Sequence, residues 1–488
     1  MSAPVRGAGR AWHRRAAAAR RAPVGLLLLA AVAAGVPGTP HGGSAVPAGS
    51  PGGAGTGDPL FPSLGNGGYD VTHYGLALHY VPDSNHLKGT ARVTARATQH
   101  LSRFNLDLTG LTVRSAMVDG SRAGFTRRKD ELTVTPARTI EKGATFTVSV
   151  RYDGTPREIR AGGDVEGWVE TDDGSTALGQ PTGSTAWFPG NHHPSDKAAY
   201  DISVTVPKDD EGDPYDALAN GELVEVRDQD DRVTSHWRVK QPMAGYLANV
   251  SVGYFEITRD RTAAGVPVLV AVDPDQSAKA ERVKDLVPRI TEWASRRFGP
   301  YPFASTGAVV DHVPRLDYAL ETQTRPYFDE APGEQLLVHE LAHQWFGNSV
   351  TPRRWKDMWL NEGFATYAEW LWEEEHGGRT AQEIFASFYD GTHEDSGGIW
   401  DFAPADPPSA ARVSDAPVYG RGAMVVHKLR EAVGDATFFH ILRAWTREHR
   451  YGNASTRQLI ALSEETSGKD LSALFDTWLF AEKKPSTA

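Results

Sequence analysis

The run His339-Glu340-Leu341-Ala342-His343, with Asn361-Glu362-Gly363 following it, decides how the rest of the chain is read. On a helix, residues four apart stand one above the other on the same face, so His339 and His343 can reach a single ion. Zn²⁺ takes imidazole nitrogen readily, and a catalytic site combines three protein ligands with one open position. Glu362, nineteen residues beyond His343, is the natural third ligand. Glu340 lies about 100° further round the helix than His339, which aims its carboxylate at the attacking water rather than at the metal. That is the position of a general base, and the expectation is one zinc per chain. The bland alternative is a chance HExxH on a helix surface, and the downstream Glu362 argues against it.

The flanking residues go beyond spacing. HELAHQWFGN (339–348) and WKDMWLNEGFA (355–365) closely resemble the M1 family of zinc aminopeptidases, whose signature is HExxH, eighteen intervening residues and Glu. The resemblance covers nearly all of residues 69 to 485 and implies further roles. A tyrosine of the family donates to the oxyanion from a V-Y-x-K/R-G-A segment, and Val418-Tyr419-Gly420-Arg421-Gly422-Ala423 fits that segment, giving the role to Tyr419. The free α-ammonium of the substrate is held by the Glu of a Gly-Ala-Met-Glu-Asn motif. Here the stretch reads Tyr318-Ala319-Leu320-Glu321-Thr322, so Glu321 is kept while Gly, Met and Asn are replaced. A second anchor, a Gln nine residues before the proline of an F-P-C-x-D-x-P-like segment, corresponds to Gln180 ahead of Phe188-Pro189.

Other polar residues are weighed by the chemistry of metal sites. Ligating histidines usually donate their second ring N–H to a carboxylate or carbonyl, and Asp357 and Glu369 are the candidates for that support. Glu369 lies seven residues beyond Glu362, about two turns along one helix face. The adjacent His192 and His193 lack a third ligand nearby and read as structural. His376, His427, His440 and His449 lack ligand spacing.

With 488 residues the chain has room for two or three domains. Arg6, Arg10, Arg14, Arg15, Arg20 and Arg21 precede an apolar run from Val24 to Ala34, the layout of a signal peptide. The run falls short of the ~20 residues needed to span a bilayer, so export with cleavage after Ala33 or Ala48 is expected, and no stable membrane anchor. The arginine pairs leave a twin-arginine route open beside the general secretory one. The chain contains no cysteine, which excludes disulfides, thiol catalysis and thiolate zinc ligands. A formal charge of −11 argues against nucleic acid and anionic membrane as partners.

The chain divides by pattern. Residues 1–45 are read as signal peptide and leader, and 46–68, rich in Gly, Pro and Ala, as a flexible segment. Over 69–258, alternating stretches such as THYGLALHY (72–80), TFTVSVRY (145–152), AYDISVTV (199–206) and VSVGYFEI (250–257) predict an antiparallel β-sandwich or saddle-like sheet domain. Over 259–488 helical spacing dominates, at 278–298, 333–346, 362–376, 423–433 and 455–467. The expected fold is α+β and multidomain, a β domain followed by a thermolysin-like, mainly α-helical catalytic domain.

Taken together, the zinc motif, the leader and the family resemblance imply a secreted zinc metallo-aminopeptidase of short, bacterial type, acting on peptides with a free N-terminus. The rivals are a thermolysin-like zinc endopeptidase, a relative hydrolysing a lipid epoxide, and an inactive binding protein on the same fold. The retained base and oxyanion tyrosine argue against the last.

Overall fold

A computed structural model describes residues 48–161, 164–209 and 211–486. The signal peptide and leader expected over 1–45 lie outside the described residues.

Alternation of apolar and polar side chains builds the N-terminal part. Along Tyr69–Val81 the core takes Tyr69 and Val71, then Tyr74, Leu76, Leu78 and Tyr80. The odd step from Val71 to Tyr74 would put the second set on the wrong face, and a bulge between Val71 and His73 corrects it. This strand is central in an eight-stranded sheet, flanked by His86–Ala97 and Lys197–Pro207. The pairing with Lys197–Pro207 is parallel, a departure from the all-antiparallel expectation. Between them the chain runs through further strands, including a second sheet, and enters Lys197–Pro207 from the same end as Tyr69–Val81. That second, antiparallel sheet contains Glu158–Ala161, Asp164–Glu170 and Ser175–Leu178, and it forms one wall above the HELAH segment.

The expected boundary at 258 falls inside a strand, Glu256–Arg261, which pairs forward with Pro267–Val272. Pro267–Val272 and Thr306–Val310 run parallel in a five-stranded sheet joined by helix α1, Val283–Phe298. These two strands are apolar runs, VLVAV and TGAVV, almost wholly buried. Without alternation they carry no period-two signal, which is why a reading by period places only helices here. The edge of this sheet is the short strand Ala319–Leu320, which delivers Glu321 to the site.

Helices α2 (Glu334–Ala342) and α3 (Trp359–Glu375) carry the two halves of the histidine-glutamate motif. Helices α4 (Ala381–Asp390), α5 (Gly422–Val433), α6 (Asp435–Glu448) and α7 (Thr456–Ser467) complete the part. α4 and α6 lie between the periodic stretches picked out by sequence, although Thr380 and Glu383 form a capping box that marks the start of α4. Among the described residues no helix is long and apolar enough to cross a membrane.

The segment 46–68, expected to be flexible, is packed over its described residues from 48 onward. Ser50–Pro51 adds a parallel strand beside Leu101–Asp107. Asn66 Nδ2 donates to Asp107 Oδ1 at 3.0 Å, and the Gly65 amide to Asp107 Oδ2 at 2.9 Å. Gly65 has φ +73°, and a Cβ there would come within 2.3 Å of the His193 Cβ, so only glycine fits. Asp58 does the most. Its Oδ2 accepts from the Trp355 amide at 3.0 Å and lies 3.2 Å from His193 Nε2, while Phe61 packs on the Trp355 ring at 5.2 Å. Composition suggested a linker; small residues instead let the backbone lie close against the strands, with a few polar side chains as anchors.

Burial alone would raise the Asp58 carboxyl, but hydrogen bonds from His193, Trp355 and Leu60 hold it down to about 2 from an ordinary 3.8. Asp58→Ala is expected to destabilise the protein by about 1.5–3 kcal/mol in urea unfolding, the cost of a hydrogen-bonded charge. Because the folded-state value is depressed, the stabilisation is present above pH 3.8 and is lost toward pH 2. The gap between wild type and variant should therefore narrow over that window; a gap constant with pH would count against the carboxylate as its source.

Candidate active site

Helical geometry brings the motif residues together. His339 and Glu340 stand in the last turn of α2, His343 caps it, and Glu362 sits in the first turn of α3. All four are buried, between 2% and 7% exposed. His339 Nε2 and His343 Nε2 each lie 3.3 Å from the same oxygen, Glu362 Oε2. The ligand atoms of the three residues lie within 4.8 Å of one another, a spread that one ion can bridge.

The outer nitrogens are committed elsewhere. His339 Nδ1 meets Glu369 Oε1 at 2.6 Å, and His343 Nδ1 meets the Phe346 carbonyl at 3.0 Å. A carbonyl only accepts, so Nδ1 of His343 carries a proton and its Nε2 is the nitrogen that faces inward. Glu369 thus stands where the sequence put it. Asp357 does not: its Oδ1 accepts from the Thr456 amide at 3.2 Å and the Thr456 hydroxyl at 2.6 Å, capping α7. Asp357 belongs to the one-turn helix Trp355–Asp357 ahead of α3, which faces the Ser455 corner rather than the histidines.

The electrostatics ask for a cation. Burial opposes charge on every group here, yet His343 and His339 hold the Glu362 carboxyl down at about 2. In turn Glu362 lifts His343 to about 9 against its burial, and Glu362 and Glu369 lift His339 well above the usual histidine range. Burial pushes Glu340 up to about 7 and Glu321 up to about 8, with the histidines opposing. Four carboxylates thus surround two imidazoles, and among the described residues no lysine or arginine lines the cavity. The donor set and its excess of negative charge fit a divalent ion of zinc type.

The remaining predicted residues converge on the same cavity of about 480 Å³. Glu321 follows the edge strand and is 3% exposed; its backbone carbonyl accepts from Asn348 Nδ2 at 2.7 Å, while its Oε1 has no hydrogen-bond partner among the described residues. Gln180 Oε1 and Glu340 Oε2 are likewise buried and unpartnered. Tyr419 lies in a π-helical turn, Pro417–Arg421, just before α5, and its ring stacks on His339 at 6.0 Å. Such single π turns occur often at functional sites. The turn reaches His339 because α5 crosses α3 at Gly363 and Gly422; a Cβ on Gly363 would come within 2.7 Å of the Gly422 backbone. A second cavity, of about 800 Å³, opens on the far side of His339 and Tyr419, bordered by Glu369, Arg379 and His393.

His192 and His193 are buried and structural as expected, His192 Nε2 meeting the Phe188 carbonyl at 3.0 Å and His193 meeting Asp58. Two supports went unforeseen. Lys197 Nζ donates to the carbonyls of Asn348, Ser349 and Gly452 at 2.9, 3.0 and 3.3 Å, tying the large sheet to the turn after α2. Arg421 is fully buried and donates to the carbonyls of Trp478, Phe402 and Ala481, which pins the turn carrying Tyr419. The V-Y-x-K/R-G-A segment contained a signal for Arg421; nothing local marked Lys197.

Comparison with known proteins covers both parts of the fold. The Peptidase M1 N-terminal domain model matches residues 70–247, and the Peptidase family M1 domain model matches residues 318–478. A probable aminopeptidase 2 from Sulfurisphaera tokodaii is 27% identical over 320 residues, 60% of this chain and 39% of that protein. A glutamyl aminopeptidase from Bitis rhinoceros is 27% identical over 325 residues, 61% of this chain and 33% of that protein. The match thus spans well under half the length of these curated relatives. The crystal structure of an M1 zinc metallopeptidase from Deinococcus radiodurans superposes with a TM-score of 0.80 at 31% identity, covering 89% of this chain and 100% of that one. Matched in sequence across its sheet and helical parts, and in structure along the whole of a two-part neighbour, the chain belongs to peptidase family M1.

Proposed function

We propose that this protein is a zinc aminopeptidase that removes residues from the free N-terminus of peptides. One observation carries the reading: the buried, unpartnered Glu321 carboxylate opens into the same cavity as the His339, His343 and Glu362 donor set, beside Gln180 Oε1. An ion and an ammonium are the two positive charges that such a cavity calls for. The names of the aminopeptidase relatives agree with it. The residue preference in the name glutamyl aminopeptidase is not carried over, because among the described residues no lysine or arginine lines the cavity to meet an acidic side chain.

In this reading His339, His343 and Glu362 hold one zinc ion, which when bound polarises the scissile carbonyl and makes water a better acid. Glu340 takes the proton from the attacking water and hands it to the departing amine, a task suited to a buried carboxylate with a free oxygen. The Tyr419 hydroxyl donates to the oxygen on which negative charge develops. Glu369 keeps the His339 ring in place through its 2.6 Å contact. Glu321 and Gln180 accept hydrogen bonds from the α-ammonium, fixing it one residue from the bond to be cut. A thermolysin-like endopeptidase would have no use for those two oxygens. The arginines and apolar run of the first 45 residues support export.

Elemental analysis should find about one zinc per chain, and chelation should abolish activity. Glu340→Gln is expected to keep zinc and lose turnover, since an amide cannot accept the proton; a near-normal rate would move the base elsewhere.

Tyr419→Phe should lower kcat by about 10²–10³ with little change in KM, because the lost hydrogen bond matters mainly in the transition state. A drop of less than about tenfold in steady-state assays would remove Tyr419 from that role.

The test between exopeptidase and endopeptidase is Glu321→Ala. Losing one partner of a buried ion pair costs about 3–5 kcal/mol, so cleavage of free-amine substrates should fall by several hundredfold or more, while any cleavage of N-acetylated peptides stays as it was. Wild-type enzyme cutting acetylated peptides as fast as free ones would replace the aminopeptidase reading with the endopeptidase one.

A further inference from the structure

We propose that the cavity selects N-terminal residues with a cationic side chain, arginine or lysine, and turns away aspartate and glutamate; the inference rests on the aminopeptidase reading above. It follows by subtraction. The carboxylates lining the cavity are Asp164, Glu166, Asp317, Glu321, Glu340 and Glu362. The last three have their tasks. Glu166 is spent on the loop below it, accepting from the Thr182 and Gly183 amides at 2.9 and 2.8 Å and from the Thr182 hydroxyl at 2.5 Å. Asp164 and Asp317 are left, both exposed at the rim, with no side-chain hydrogen bond or ion pair among the described residues.

Local structure puts both aspartates over the cavity. In the hairpin of Glu158–Ala161 with Asp164–Glu170, Arg160 stands opposite Val165, so alternation turns it away from the face shared by Asp164 and Glu166. Asp317 is held at φ +59° by its own amide, which donates to Asp329 Oδ2 at 2.8 Å. The next residue, Tyr318, donates its hydroxyl to the Val165 carbonyl at 2.6 Å. One hydrogen bond therefore joins the chain neighbours of the two aspartates, which line the same cavity. Tyr318 stands where the family motif has glycine, and a glycine could not make this bond.

The buried oxygens in the same cavity show that it takes a cationic group. Glu321 Oε1, on a side chain 3% exposed, and Gln180 Oε1 have no partner and face the cavity. With the α-ammonium on them, the first side chain runs along a wall of Leu320, Leu336, Ala410 and Val413, and Leu336 is 41% exposed. A cavity lined by apolar side chains together with two uncommitted carboxylates matches the apolar stem and charged head of lysine or arginine. An acidic side chain would meet only like charge.

The test is kcat/KM for a panel of aminoacyl amides of Arg, Lys, Leu, Met, Glu and Asp, with zinc-loaded protein at low and high salt. The expected order puts Arg and Lys about tenfold above Leu and Met, and Glu and Asp last by about a hundredfold. The basic preference should shrink toward about 1 M salt, as interactions of rim charges do, and lie in KM. In Asp164→Asn/Asp317→Asn the Arg-to-Leu ratio should fall by about tenfold. Competition by free L-arginine against free L-glutamate gives the same ranking in unaltered protein. Leu or Glu substrates equalling Arg in wild type, or a ratio unmoved by the double variant, would overturn the inference and leave the aminopeptidase reading standing. Failure to cleave any free-amine substrate would instead sink that reading, and this one with it.

Discussion

Two imidazoles turned on one carboxylate oxygen form the constraint around which the helical part is built. His339 and His343 each approach Glu362 at 3.3 Å, and the three sit on two helices whose axes must cross within that reach. Such a cluster is costly to bury without a compensating charge, so its surroundings have to hold it by force of packing and hydrogen bonds. Glu369 and the Phe346 carbonyl fix the ring orientations from outside. Glycines at 363 and 422 let α5 close against α3, which is what brings the Tyr419 turn over His339.

The sheet part serves the same centre from the other side. Lys197 grips the turn after α2 through three carbonyls, and Asn348 of that turn holds the backbone of Glu321. Asp58 bonds the Trp355 amide, a few residues before Glu362. The Lys197 and Asp58 links run between residues separated by 151 to 297 positions, so the pieces of the cavity are held in place by parts of the chain remote in sequence. The proposed exopeptidase action needs that coupling, because Gln180 comes from the sheet part and Glu321 from the helical part.

Charge gives the cavity its character. The chain has 51 basic and 62 acidic residues, yet among the described residues no lysine or arginine stands in the wall of this cavity. Half-buried Lys197 and buried Arg421 are committed to backbone carbonyls, where they stiffen the site without neutralising it. The field left inside favours positive ligands: a metal ion at the histidines, an ammonium at Glu321 and, by the inference drawn here, a basic side chain at the rim.

Local chemistry made the centre legible. HExxH with its distant glutamate is a statement about helical periodicity and ligand preference, and both survive whatever surrounds them, so His339, Glu340, His343 and Glu362 could be named from the chain alone. The heptad step from Glu362 to Glu369 worked for the same reason, as did the alternating strands of the sheet part. Tyr419, Glu321 and Gln180 came from resemblance, since no local rule sets a loop tyrosine or a lone carboxylate apart. What no local pattern carried was contact between distant segments. Asp357 looked equivalent to Glu369 until the fold turned it onto Thr456. The glycine-rich stretch before Tyr69 looked like a linker until Asp107, Asn191 and His193 bound it. Lys197 and the two rim aspartates had no signal at all. Periodicity and ligand chemistry act over a turn or a strand and can be read in sequence, whereas the partner of a buried charge is chosen by packing across the whole chain, which only the tertiary structure decides.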